Sequence, residues 1–393
     1  MTSSSSAGLD PVELTAALVR CPSVTPAEAG TLDLLGRALT DLGFEVHRVP
    51  VQEPGTERVD NLFARLGTSG PHLAFAGHVD VVPPGDIATW RHDPFAGTIE
   101  DGTLYGRGAA DMKSGVAAFV AAVSAHLAAH GRPAEGSISL VITGDEEGPA
   151  VNGTQALLRW MEAHGHRPDA CLVGEPTSVQ RNGDMMKVGR RGSANGRLVV
   201  VGKQGHTAYP QRADNPAHRL VRMLSAILET PIDRGTPFFQ PTNLQVTSID
   251  IGNPASNVIP AEAAARFNIR YNDLQTKERL EAWLRERCDA VGGTYRLELS
   301  SSGDAFLTAP GPFTELVADA AEAVFGHRPE ASTSGGTSDA RFIQRYCPVV
   351  ELGLVGQTMH QVDERVQTAD IESLADCYRT IIERWLAAAQ KAG

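Results

Sequence analysis

The sequence predicts an α/β fold with a mainly parallel, buried sheet, and a second, ferredoxin-like unit inserted into it. Three observations carry this. Short apolar runs alternate with helical stretches toward both ends of the chain. Those runs are almost continuously apolar, as strands buried on both faces are. From about residue 190 to 302 the order changes to β-α-β-β-α-β, the split βαβ unit. The larger domain is therefore expected over 1–189 and 303–393, and the smaller one over 190–302.

The elements follow in order. MTSSSSAG has neither the basic start nor the apolar centre of a secretory leader and is expected to be a frayed end. Thr25-Pro26-Ala27-Glu28 offers an N-cap, a proline at the first helical position and a closing glutamate, so a helix is expected from there to about Leu42. The runs FEVHRV, HLAFAG, SISLVIT and DACLVG read as strands. GVAAFVAAVSAHLAAH (115–130) and GTQALLRWMEAH (153–164) read as the helices between them. In the inserted unit, RLVVVGKQ, NLQVTSIDIG, AEAAARFNIRYN and TYRLELSS are strands, with helices at about 214–229 and 276–291. Beyond Ser302 come a helix at 312–326, the strand PVVELG and a terminal helix at 368–389.

A net charge of −12 argues against a nucleic-acid partner, which would require a basic face. It leaves room for small anionic substrates, which need only a few local arginines. No apolar stretch is expected to reach the ~20 residues of a membrane span. The cysteines Cys21, Cys171, Cys288, Cys347 and Cys377 include no C-x-x-C pair. Their odd number fits reduced structural thiols in a cytoplasm.

In open α/β sheets, ligands bind beyond the carboxyl ends of the strands. HLAFAG is followed at once by His78 and Asp80, SISLVIT by Glu146 and Glu147, DACLVG by Glu175, and PVVELG a few residues later by His360; Asp111 stands just before a helix. Two histidines with several carboxylates form a donor set suited to zinc. Charge favours a pair of ions. Asp111, Glu147 and Glu175 bring three negative charges, which two divalent cations and one hydroxide neutralise; a single ion would leave the site anionic. A pair sharing Asp111 would sit ~3.5–4 Å apart. Glu146 is then free to act as a general base, and Asp80 can accept the other ring N–H of His78 and fix its tautomer. Each feature alone has a plainer reading. H-x-D is common by chance, D-E-E is ordinarily a solvated acidic turn, G-E-P is a turn and His360 a surface histidine. Only their conjunction at successive strand ends points to a metal site.

GHVDVVPPGD, LYGRGAADMKSG, TGDEEGPAVNGT and LVGEPTS resemble, in order, the metal motifs of the co-catalytic zinc aminoacylase and carboxypeptidase family. The likeness runs from about Leu9 to Trp385 and includes VGRRGS, GKQGHTAYPQRADNPAHR, SNVIP, FNIRY and SGGTSDARFI. It implies a zinc-peptidase-like catalytic domain with an inserted dimerisation domain, and two Zn²⁺ per subunit, with Co²⁺ or Mn²⁺ able to substitute at one site. Asp111 would bridge the ions, His78 and Glu175 would complete one site, and Glu147 and His360 the other. Glu146 would be the base, and the peptide after Asp111 would be cis. His206 would reach the partner subunit's active site in a homodimer and support the tetrahedral oxyanion. Arg190, Tyr209, Asn257, Arg270, Gly336 and Thr337 match positions near the substrate. For an acylated amino acid rich in carboxylates, arginine forks are the fitting donors. Four of these keep simpler alternatives: an outward charge on a strand for Arg270, a solvated basic turn for Arg190, and a flexible turn rather than an anion nest for Gly336 and Thr337.

The implied chemistry is amide hydrolysis of an N-acyl amino acid by a cytoplasmic enzyme. N-acetylornithine or a dipeptide is the nearest alternative substrate. A non-catalytic metal-binding relative would typically lack the base or a ligand, and this sequence has both. GRGAAD lacks the spacing of a dinucleotide loop, and Asn152-Gly153-Thr154 matches a glycosylation sequon only by chance. Pro149, directly after Gly148, departs from the family pattern in the loop beside the base.

Overall fold

The structure, a computed structural model, describes residues 8–392. The serine-rich start expected to fray lies outside the described residues, apart from Gly8. The described residues form two compact units: residues 8–188, 308–332 and 338–392 make the first, and residues 189–307 with 333–337 the second.

The first unit is built on an eight-stranded sheet in the order Glu45–Val51, Val59–Leu66, Ser137–Thr143, His72–His78, Ala170–Val173, Val349–Glu351, Met185–Lys187 and Glu330–Ser332. Its four central strands, Ser137–Thr143 through Val349–Glu351, run parallel. Every residue of Ser137–Thr143 is buried, the small polar Ser137, Ser139 and Thr143 included, as in a strand covered on both faces. The strand Val59–Leu66 is not anticipated from the sequence. It pairs antiparallel with both neighbours. Its polar Asn61 hides the pattern: the residue is fully buried because its amide donates to the carbonyls of Val49 and Asn152.

Two helical expectations need correction. The first helix is Pro11–Val19, where the Asp10 carboxylate accepts from the N–H groups of Val12 and Glu13. The next spans Thr31–Asp41 rather than starting at Pro26. Residues 23–25 are instead drawn out along 79–81: Ser23 Oγ donates to Val79 O, Val81 N to Ser23 O, and Thr25 N to Val81 O. Glu28 still caps, its carboxylate accepting from Leu32 N. The stretch Ala109–His130, which ends in the helix Ser114–His130, is by length and composition apolar enough to cross a membrane, contrary to the sequence expectation, and 78% of its most apolar part is buried inside the protein.

The second unit carries a four-stranded antiparallel sheet in the order Asn243–Asp250, Glu262–Tyr271, Gly192–Val201 and Thr294–Gly303. Its first strand begins five residues before the expected RLVVVGKQ. Along Glu262–Tyr271 alternate residues are buried, so one face is apolar. That face packs Phe267, Ile269 and Tyr271 against Leu220 and Met223 of the helix Pro216–Leu228 and Leu280 and Leu284 of the helix Lys277–Val291. Asn215 and Thr276 cap the two helices through their side chains.

Candidate metal centre

The parallel strands of the first unit deliver their polar ends to one place. His78 closes the strand His72–His78, and its fully buried ring is fixed from below: Nδ1 lies 2.9 Å from the backbone oxygen of Asp80. A carbonyl only accepts, so Nδ1 carries the proton and Nε2 faces the cluster. Asp80 thus fixes the tautomer, but with its carbonyl; its carboxylate stands 3.6 Å away. That carboxylate is fully buried and takes nearer donors, the N–H groups of Glu146 at 3.2 Å and Glu147 at 3.1 Å. It therefore braces the turn that carries Glu146 and Glu147.

The three adjacent carboxylates of that turn have separate destinations. Asp145 is buried and accepts from the N–H groups of Val151 and Asn152, closing the loop that contains Pro149. Glu147 reaches His360, Oε1 to Nε2, at 2.8 Å. Glu146 keeps an oxygen within 4.8 Å of donor atoms of His78 and Glu175.

Asp111 stands at the centre. Its Oδ1 is 3.1 Å from His78 Nε2, and its Oδ2 is 3.4 Å from His360 Nε2. Glu175 Oε1 lies 3.6 Å from His78 Nε2. One carboxylate thus offers one oxygen to each of two half-sites. Its backbone is non-helical (φ −124°, ψ 98°) just ahead of the helix Ser114–His130, and the peptide to Met112 is cis. The helix must approach the sheet closely here: a Cβ on Gly115 would collide with the carbonyl oxygen of Gly174, next to Glu175.

Proximity alone groups the donors as His78 with Asp111 and Glu147, and His78 with Glu146 and Glu175. The nitrogen-to-oxygen distances divide them better, as His78–Asp111–Glu175 and Asp111–Glu147–His360.

The electrostatics fit cations. Burial, reinforced by the Asp111 charge, pushes Glu175 well above the ordinary carboxylate range. Burial also lifts Glu146 to about 8, with Asp339 adding to the effect. Burial acts on Asp111 too, yet hydrogen bonds from His360 and His78 hold it below the usual range. His360 is raised to about 10 by its hydrogen bonds to Asp111 and Glu147. His78 rises well above its ordinary value although burial opposes this, because Asp111 and Glu175 favour its charged form. Within the cluster, protonated histidine is the only positive charge the ligating side chains can supply. Divalent cations would supply it better and free both imidazoles as donors.

Two residues of this scaffold escaped the sequence reading. Glu364 is fully buried; its Oε1 accepts from the N–H groups of Ala110 (2.9 Å) and Asp111 (3.1 Å), and its Oε2 from Arg107 Nη1 at 2.7 Å. Arg107 lies inside the LYGRGAAD motif, whereas nothing near Glu364 in the sequence hints at a partner 257 residues away. Lys113, also fully buried, donates to the carbonyls of Leu18 and Cys21 and so anchors the end of the helix Pro11–Val19 beneath the site.

The other sequence candidates belong to the second unit, and none is in the carboxylate–histidine cluster. His206, Tyr209 and Asn257 are brought together: His206 pairs with Val258, Thr207 N donates to Asn257 O, and the rings of His206 and Tyr209 are 5.7 Å apart, edge to face. All three are exposed. Arg190 is buried and donates to Gly336 O at 3.2 Å. Arg270 lies near Arg191, whose pKa is lowered by burial and by the charge of Arg270. Thr337 ends the short segment 333–337.

A family model described as peptidase family M20/M25/M40 matches residues 74–384. A protein of Rhodospirillum centenum named succinyl-diaminopimelate desuccinylase is 62% identical over 381 residues, covering 97% of this chain and 98% of its own length. Among solved structures, aminopeptidase PepT of Bacillus cereus superposes with a TM-score of 0.79 at 22% identity, covering 96% of this chain and 98% of that one. The Bacillus subtilis YXEP protein, described as a dinuclear metal binding peptidase of the M20 family, superposes with a TM-score of 0.69 at 16% identity, covering 97% and 98%. At such identities the two structures speak to the fold alone.

Proposed function

We propose that this chain, which belongs to the M20/M25/M40 peptidase family, hydrolyses the amide of N-succinyl-LL-2,6-diaminopimelate to succinate and LL-2,6-diaminopimelate, a step of diaminopimelate and lysine biosynthesis. The observation that carries the chemistry is Asp111, with one carboxylate oxygen directed to His78 and the other to His360. The extent and level of identity to the named desuccinylase support the choice of substrate.

The residues divide into two half-sites for Zn²⁺, with Co²⁺ or Mn²⁺ able to substitute at one of them. His78, Asp111 and Glu175 would hold one ion; Asp111, Glu147 and His360 the other. When bound, such a pair polarises the scissile carbonyl and lowers the pKa of nearby water. Glu146 accepts the proton of the attacking water. As the C–N bond breaks, it returns that proton to the nitrogen of the departing diaminopimelate. A carboxyl whose burial favours its protonated form suits this double task. Asp80 positions Glu146 through its backbone N–H and His78 through its ring.

In this reading residues 1–189 and 303–393 form the catalytic domain, and 190–302 a dimerisation domain. His206 of one subunit donates a hydrogen bond to the oxyanion in the other; its exposure beside Tyr209 and Asn257 supports such a role. Arg190, Arg270, Tyr209, Asn257 and the backbone of Gly336 and Thr337 receive the substrate carboxylates. The mutual repulsion of Arg191 and Arg270 is what an anion would relieve. A cytoplasmic setting is supported by five free cysteines.

The test is a paired hydrolysis assay. Chelator-stripped enzyme is given up to two equivalents of zinc and offered N-succinyl-LL-2,6-diaminopimelate or N-acetylornithine. The expected result is cleavage that rises with metal, with kcat/KM at least about 100-fold higher for the succinyl compound. Equal or greater activity on the acetyl compound overturns the substrate assignment.

A further inference from the structure

The helix Ser114–His130 carries a second set of metal-type donors at its far end. His126 and His130 are four residues apart and project from one face of the helix. Their ring centroids are 5.1 Å apart. Glu383, on the terminal helix Thr368–Ala392, reaches the same place. One donor atom from each of the three lies within 4.8 Å of the others. Twelve residues of helix separate His126 from Ser114, roughly 18 Å at 1.5 Å per residue, so this set is distinct from the cluster around Asp111.

The spacing of the three donors leaves room for an ion among them. Glu383 Oε1 is 3.5 Å from His130 Nε2. That exceeds a good hydrogen bond of about 2.9 Å. It matches the roughly 3.4 Å between neighbouring donors on a tetrahedral ion with bonds of about 2.0–2.1 Å. His126 is 6% exposed, yet its Nδ1 has no hydrogen-bond partner. Burial, with repulsion from His130, lowers its proton affinity and keeps its lone pair available. Histidines at i and i+4 joined by a carboxylate from elsewhere are a recurrent helical arrangement for zinc.

We propose that His126, His130 and Glu383 form an additional zinc-class site, separate from the catalytic cluster, that ties the helix Ser114–His130 to the terminal helix. Three protein donors leave a fourth position for water. Arg379 Nε, 4.0 Å from Glu383 Oε1, competes for that carboxylate, so binding is weaker than at the catalytic cluster.

The test uses the metal-loaded enzyme, titrated with zinc against a chromophoric chelator while the thermal midpoint is followed. The readout is the difference between the native protein and variants, so it does not depend on how many ions the catalytic cluster holds. The native protein is expected to bind one more equivalent than either His130→Ala or Glu383→Gln and to gain thermal stability on binding it. Both side chains are at least partly exposed, and both variants should hydrolyse substrate at the native rate. Identical stoichiometry in the native protein and both variants overturns the proposal.

Discussion

Replacing Glu146 with glutamine is expected to lower kcat by about 10³- to 10⁴-fold, the upper part of the range for a lost general base, with metal stoichiometry unchanged. Glutamine keeps the volume and the burial of the side chain but cannot take up the proton. The metal count is what makes the experiment decisive. Glu146 places an oxygen within 4.8 Å of His78 and Glu175, close enough to be considered a ligand. If it were one, the variant would lose an equivalent of metal or much of its affinity. If it is the base, both ions stay and turnover stops. Residual activity above a few per cent would remove the base role outright. Rates and metal content measured on the same preparation distinguish all three outcomes.

Glu364→Ala should cost about 3–5 kcal/mol of stability and also weaken metal binding. Glu364 is the ion-pair partner of the Arg107 guanidinium, which is itself 2% exposed. Removing the carboxylate leaves that charge buried and uncompensated, which is far more damaging than losing a surface pair. The same deletion frees the N–H groups of Ala110 and Asp111, so the central carboxylate loses its backbone support. Loss of such supporting contacts typically lowers metal affinity 10- to 100-fold. The two effects can be separated. Adding Arg107→Met removes the orphaned charge and should recover much of the stability, while metal affinity stays low. Denaturant unfolding and chelator competition measure the two quantities. A single variant within about 0.5 kcal/mol of the native stability would show that the pair is not the structural brace it resembles.

The site was legible in the sequence where its residues directly follow an apolar strand. His78, Glu147 and Glu175 announce themselves because a polar residue after a buried run must emerge at the strand's carboxyl end. His360 and Asp111 needed the motif around them. What stayed hidden depends on partners distant in the chain. Glu364 gains its meaning only from Arg107, and the carboxylate of Asp80 only from a turn 66 residues later. The same limit applies to the fold. Thr25-Pro26 carries good helix-start chemistry, but backbone hydrogen bonds to residues 79–81 outweigh it. The strands Met185–Lys187 and Glu330–Ser332 have three residues each, too few for a period to appear. The helix Pro11–Val19, by contrast, was available in plain view as Asp10 before Pro11, a capping residue before a first-turn proline.

The most direct test of the bridging role of Asp111 is an anomalous difference map from crystals of the zinc-loaded protein. Two peaks about 3.5–4 Å apart are expected, one beside His78 and Glu175 and the other beside Glu147 and His360, with the Asp111 carboxylate between them. A single peak, or a pair in which Glu146 rather than Asp111 is the shared ligand, would contradict the assignment.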